Sequence, residues 1–205
     1  MAGIGLYGVY YSKGVITSGV LTGYSGVQTM GKAISATFTP ADVGGSNLWA
    51  NNSIAETDSL AAAGGTLSVE CDKISNTAHT DLFGLTATTA TVTVGSSTVT
   101  GTGFDYTGNE SAAPVGVGVV RWKQEANNRD IYEAVVFAYC TFKAPTEEMS
   151  TYNGESGIEW QTSPLEATVS GGTVTGTYPW RQKYTFNSQA AAIQYITDCF
   201  TASTP

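Results

Sequence analysis

Residues 114 to 145, PVGVGVVRWKQEANNRDIYEAVVFAYCTFKAP, constrain the fold more than any other stretch of the chain. Two long apolar runs flank Asn127-Asn128, and asparagine tolerates the left-handed backbone of a tight turn, so the segment is expected to be a long hairpin. On its second run Tyr132, Ala134, Val136, Ala138, Cys140 and Phe142 fall on one face, while Ile131, Glu133, Val135, Phe137 and Tyr139 fall on the other. Both faces are largely apolar, which predicts a strand covered on both sides.

The rest of the chain agrees with a sheet protein. Only 13% of its 205 residues are charged, and it carries eleven tyrosines and four tryptophans among abundant Gly, Thr, Ser and Ala. Such a composition favours strands and turns over helix bundles. The length suffices for one large all-β domain without staples, and no linker divides it. Three parts are expected: an N-terminal arm over 1–31, a single β domain over 32–186, and a C-terminal helix and tail over 187–205.

Residues 1–31 hold eight glycines and four tyrosines with little periodicity, which reads as an arm with aromatic anchors, Tyr7, Tyr10 and Tyr11 among them. Ile34, Ala36 and Phe38 then alternate with polar residues up to Pro40, the period of a half-buried strand. Leu48, Ala50 and Ile54 on one run and Leu67, Val69 and Cys71 on the next predict a long projecting hairpin. Its tip would be Thr57, Asp58, Ser59, Leu60, Ala61, Ala62, Ala63, Gly64 and Gly65, a soft segment with one charge. Ser75 or Asn76 is placed to cap a short helix that turns Ala78, Leu82 and Phe83 inward and stops at Gly84. The run TATVTVGSSTVTGTGF predicts a Thr/Val surface hairpin around a Gly-Ser turn. At the end, Ser188 precedes a stretch in which Ala192, Ile193, Ile196, Cys199 and Phe200 share one helical stripe.

Seventeen acidic against nine basic residues give a net charge of −8, from which no face-wide basic patch for gripping phosphates can be assembled. Arg121, Lys123 and Arg129 near the Asn-Asn turn read either as a solvated strand end or as partners for acids of another subunit. The three cysteines sit at apolar positions of their local patterns, which suits buried free thiols in a reducing compartment. The N-terminus has no basic region before an apolar core, and no stretch approaches 18 apolar residues, so insertion into a membrane is not expected.

Signals for chemistry are weak. Gly3-Ile4-Gly5-Leu6-Tyr7-Gly8 matches a dinucleotide fingerprint on paper, but neither a preceding strand nor a following helix accompanies it. The single histidine, His79, reads as a solvated helix residue. Glu70 and Asp72 share a strand face and Glu159 sits beside Trp160, a spacing any acidic β protein offers. No enzyme activity, cofactor or metal is expected.

The order and spacing of several blocks carry a resemblance. They are GLYGVYYSK, LWANNS, GGTLSVECDKISNTAHTDLFG, APVGVGVVRWK, YEAVVFAYCTFKAP and STYNGESGIEWQTSPLEATVSG. Together they resemble the major tail tube protein of siphovirus-type, long-tailed bacteriophages, in the branch common among phages of Gram-positive hosts. The resemblance spans about residues 4 to 175. It implies a mainly antiparallel β-sandwich or partly closed barrel with a flanking helix. Six copies would close into a ring, and rings would stack into a tube around a tape measure protein, with tail terminator and distal tail proteins at the ends. The location implied is the virion tail, after synthesis in the bacterial cytoplasm.

On that basis residues 57–65 would stack on the next ring, with Tyr7, Tyr10 and Tyr11 close by. Val117, Val119, Arg121, Val135, Phe137 and Tyr139 would continue one sheet between neighbours. Glu70, Asp72 and Glu133 would face a lumen that passes double-stranded DNA by repelling its phosphates. The C-terminal helix would either bridge rings or pack on its own subunit. A second reading is a carbohydrate-binding β-sandwich using Trp49, Trp122, Trp160 and Trp180, and a third is an acidic glycoside hydrolase.

Overall fold

A computed structural model describes residues 2–41, 46–50, 53–58, 64–125, 129–145, 162, 164–171 and 178–201 of the chain. Within them run β1 (Ala2–Thr17), β2 (Val20–Gly31), β3 (Ala33–Pro40), β4 (Ser46–Ala50), β5 (Ser53–Asp58), β6 (Gly64–Cys71), α1 (Asn76–Phe83), β7 (Ala87–Val94) and β8 (Ser97–Phe104). After these come β9 (Val115–Gln124), β10 (Asp130–Phe142), β11 (Pro164–Ser170), β12 (Arg181–Phe186) and α2 (Gln189–Thr201). The architecture is mainly antiparallel and sandwich-like, with one short flanking helix and one C-terminal helix; it is not a closed barrel.

Eight strands form the main sheet in the order β2-β1-β9-β10-β11-β6-β3, with β12 also paired to β10. The two halves of β10 serve different neighbours. Tyr132 to Phe137 pair with β12, whereas Cys140 to Phe142 pair with β11. The sheet divides there into a layer β2-β1-β9-β10-β12 and a layer β11-β6-β3.

The main core lies between these layers. Val9 and Tyr11 of β1, Val115, Val117 and Val119 of β9, and Val135 and Phe137 of β10 meet Leu67, Val69, Leu165, Ala167 and Val169 from the facing strands. α1 closes one end with Ala78, Leu82 and Phe83. Its boundaries are those the sequence predicts: Ser75 Oγ accepts from the Ala78 amide at 3.1 Å, and Gly84 takes the left-handed conformation at φ 71°.

α2 covers the other face of the first layer. Ala192, Ile196 and Phe200 are buried against Val120, Ala134 and Val136. The two large side chains of that stripe, Ile196 and Phe200, contribute about 1.5 to 3 kcal/mol each by leaving water. The β9 sequence makes the seat: valines 115, 117 and 119 point to the main core, and Gly116 and Gly118 point to α2. A Cβ on Gly116 would stand 2.3 Å from the Phe200 ring, and one on Gly118 would stand 2.4 Å from Ile196 Cγ2. β10 is thereby covered on both sides, as its two apolar faces predict. The apolar stripe of α2 is spent on its own subunit, so that stripe is not available to bridge rings.

Two expectations are corrected. Residues 1–31, read as an arm, form β1 and β2, and β1 pairs with β9 from Ala2 to Lys13. Register shifts at Gly3/Gly5, Leu6/Gly8, Ser12/Gly14 and elsewhere break the period of two that would have marked these strands. The projecting hairpin is also paired differently. β5 pairs with β4, and β6 pairs with β3 and β11, so residues 57–65 do not join two strands of one hairpin.

Candidate functional site

Among the described residues three surfaces stand out: a hairpin with an uncovered apolar face, the edges of the first layer, and a buried carboxylate ringed by cations.

The hairpin is β7–β8, which pairs only with itself. Its register places Thr89, Thr91 and Thr93 opposite Thr102, Thr100 and Thr98, a threonine face that ends at the Ala87–Phe104 pair. The other face carries Ala90, Val92 and Val94 opposite Gly101, Val99 and Ser97. This alternation is that of a strand pair with one buried side, yet Val92, Val94 and Val99 are 56%, 66% and 53% exposed. A two-stranded hairpin is at best marginal in water without something under its apolar face. The Thr/Val surface hairpin of the sequence reading is therefore present, and it is amphipathic.

The first layer ends in β2 and β12, each with one strand neighbour among the described residues. β2 is twelve residues long and contains no charge and no proline. Edge strands are normally short, charged or interrupted, because their free amides and carbonyls invite another strand. β9 and β10 offer no such edge: β9 lies between β1 and β10, and β10 is flanked by β9 on one side and by β11 and β12 on the other. Val117, Val119, Arg121, Val135, Phe137 and Tyr139 thus have their backbone groups inside the sheet, and the expectation that they continue a sheet between subunits is corrected. The pattern that suggested it, long and apolar, is that of central strands.

Glu133 is 2% exposed, so it is corrected as a lumen carboxylate. Its carboxylate accepts a short hydrogen bond from Arg121 Nη2 and one of 2.7 Å from Lys123 Nζ, and it lies 3.1 Å from Lys183 Nζ. Burial pushes its pKa up, but the bonds from Lys123, Lys183 and Arg121 outweigh that and hold it below the usual carboxylate range. The arrangement follows from register, since Arg121 of β9 sits opposite Glu133 and Lys183 of β12 sits opposite Val135, on the same face.

The other acids named from the sequence hold structure. Glu70, half-buried, accepts from Ser35 Oγ at 3.1 Å and from Thr162 Oγ1 at short range. Asp72 Oδ1 accepts from the backbone amides of Lys32 at 2.9 Å and Lys73 at 2.7 Å, fixing the corner between β2 and β3. Gly64 and Gly65 lie in β6 rather than at a tip: a Cβ on Gly64 would stand 2.6 Å from the Val169 carbonyl oxygen, and one on Gly65 2.3 Å from that of Thr39. Thr57 and Asp58 end β5, and Ser59 to Ala63 lie outside the described residues, as does the Asn127-Asn128 turn.

Tyr10 and Tyr11 pack within the subunit, whereas Tyr7 stays half exposed. Tyr11 is buried in the main core with its hydroxyl 3.3 Å from Asp81 Oδ2, Tyr10 packs against the second core, and Tyr7 meets Tyr132 edge-on at 5.9 Å. His79, expected to be solvated, is half-buried between Phe83 and Phe104, with ring centroids 5.7 and 5.1 Å away. Trp180 packs on Phe38 at 6.0 Å, and Trp122 buries its indole nitrogen; both are half-buried. The side chains of Trp49 and Trp160 lie outside the described residues. Cys71 and Cys140 are buried, and Cys199 is half-buried. Burial raises the Cys71 thiol to about 11. Among the described residues no helix is long and apolar enough to cross a membrane.

The sequence reading missed Lys183 as a neighbour of Glu133, because β12 reaches that face through a pairing some fifty residues away in the chain. No protein-family model matches this chain, and no curated protein matches it.

Proposed function

We propose that the chain is a structural subunit that assembles with copies of itself into hexameric rings, which stack as the tail tube of a long-tailed bacteriophage. The observation that carries self-association is the valine face of β7–β8, an alternating apolar surface that stays more than half exposed at Val92, Val94 and Val99. A heterologous contact made by such a hairpin on the next copy closes into rings or repeats into an open stack, depending on the rotation it imposes. The uncharged β2 edge supports the same reading, since β2 of one copy and β12 of the next are the two ends of one layer.

The tail tube itself is supported by the linked sequence blocks over about residues 4 to 175. In this reading the tube forms around a tape measure protein, ends at terminator and distal tail proteins, and passes DNA. The net charge of −8 keeps phosphates from adhering to the wall. No catalytic role is assigned to the chain.

Negative-stain microscopy and sedimentation of the purified protein over a concentration series test this. Rings and tubes that grow with concentration are expected. A protein that stays monomeric up to its solubility limit, or that forms only compact trimers and binds glycans, sinks the proposal.

A further inference from the structure

Four of the nine basic residues of this acidic chain converge on one face. Arg121 and Lys123 of β9 and Arg181 and Lys183 of β12 all lie on the face that carries Glu133 of β10. Among the described residues four cations against one carboxylate give the patch an excess of positive charge, although the chain as a whole is at −8. Arg121, Lys123 and Lys183 share Glu133. Arg181 has no carboxylate partner among the described residues; its guanidinium lies over the rings of Phe38 at 4.9 Å and Phe137 at 5.8 Å.

Between Arg121 and Arg181 opens a slot of about 100 Å³ floored by Ala36, Phe38, Leu67, Val119, Val135 and Phe137. Its chemistry is specific: an apolar floor for a short aliphatic stem, and a guanidinium on either rim for a carboxylate at the end of that stem.

We propose that this slot receives an acidic side chain presented by a second copy of the chain. The occupant follows from charge. Among the described side chains nine carboxylates and five cations lie outside the patch, and the chain as a whole is at −8, so an acidic side chain of another copy is its electrostatic complement. A slot-to-acid contact repeats around a ring or along a stack when the rotation between copies is not two-fold, as the self-association reading requires. This inference rests on the self-association reading above and assigns it a polar anchor separate from the valine hairpin.

The test compares the full chain with Arg181→Glu, and with Arg181→Gln as the second variant, by sedimentation velocity and microscopy at low and high sodium chloride. Arg181 is exposed, so both variants are expected to keep the wild-type melting temperature and circular-dichroism spectrum. Arg181→Glu is expected to raise the concentration needed for assembly about tenfold or more, and salt is expected to weaken wild-type assembly in the same direction. Substoichiometric Arg181→Glu should also shorten wild-type assemblies, because the variant keeps its acidic surface but offers no slot to the next copy. If Arg181→Glu fails to fold, Arg181→Gln carries the same comparison with a smaller shift.

Assembly of both variants at the wild-type concentration would overturn this proposal and leave the tail tube reading standing. A wild-type chain that never assembles would overturn both. A lowered melting temperature with unchanged assembly would make Arg181 a cap on the Phe38 and Phe137 rings of its own chain, and would overturn it. Salt-sensitive binding of fluorescent duplex DNA that Arg181→Glu abolishes would give the slot to phosphate, with the same result.

Discussion

β9–β10 and β7–β8 are both antiparallel hairpins rich in valine, and they meet opposite fates. Residues 115–120 of the first are buried without exception, and so are 133–138 on its partner strand. Of the second, only Thr88 and Phe104 are even half-buried. The difference lies in what covers each face. β9–β10 has the facing layer on one side and α2 on the other, and its glycines at 116 and 118 leave room for the helix. β7–β8 has threonine on one face and valine on the other, the pattern of a half-buried pair, but no described strand or helix forms a second layer on it. Strand propensity forms both hairpins; only packing decides which of them the folded monomer holds rigid.

The comparison breaks most readily at its buried end. Phe137→Ala removes a ring that is 2% exposed and stacks 4.8 Å from Phe38. A loss of about 3 to 5 kcal/mol is expected, measured as a lower midpoint in urea unfolding. A loss below about 1 kcal/mol would show that this face is not a packed core.

Glu133→Gln comes next. Removing a buried charge from its partners costs about 3 to 5 kcal/mol when all are buried. Here Arg121 and Lys183 have side chains 42% and 49% exposed, so about 2 kcal/mol is expected after solvent screening. The pH dependence has a definite sign. Because the folded carboxyl titrates below its ordinary value, its stabilisation is fully present above the ordinary carboxylate range and is lost as pH falls through the folded value. Wild type and variant should therefore differ at neutral pH and converge in acid. A difference that grows toward low pH would contradict the assignment.

A smaller effect sharpens the account of the helix seat. Gly118→Ala places a Cβ 2.4 Å from Ile196 Cγ2, on a buried β-branched side chain that the helix holds to one preferred rotamer, so α2 itself must give way. The cost is expected within the about 1 to 3 kcal/mol typical of overpacking. Amide exchange should quicken in α2 and leave α1 unchanged; equal effects on both helices would place the strain elsewhere.

How much of this was legible in the sequence depends on how far each signal reaches along the chain. α1 was legible to the residue because Ser75 and Gly84 act on their own neighbours, and α2 because its stripe repeats locally. The double cover of β10 was legible in its two apolar faces. β1 and β2 were not, because glycine-associated register shifts erase alternation. Glu133 was misplaced for a different reason. A lone acid in a strand ordinarily faces water, and what buries this one is a lysine on β12 together with two cations two residues apart on β9. The partners of β5 and β6 were misassigned because pairing is settled by the whole sheet, not by adjacency.

The exposed end of the comparison gives the smallest effect on the monomer and the most informative one. Replacing Val92, Val94 and Val99 by threonine keeps β-branched side chains on the hairpin while removing its apolar face. At positions more than half exposed, each change is expected to move monomer stability by no more than about 0.5 kcal/mol. If the valine face is covered by another copy, the triple variant should nevertheless need a markedly higher concentration to assemble, because each buried valine loses a methyl contact and gains a hydroxyl to desolvate. Light scattering across a dilution series reads that shift. A triple variant that assembles like wild type would leave the valines as idle surface and move the self-association argument to the β2 edge. A variant that unfolds would show that the hairpin already leans on its own chain, and the contrast with β9–β10 would collapse.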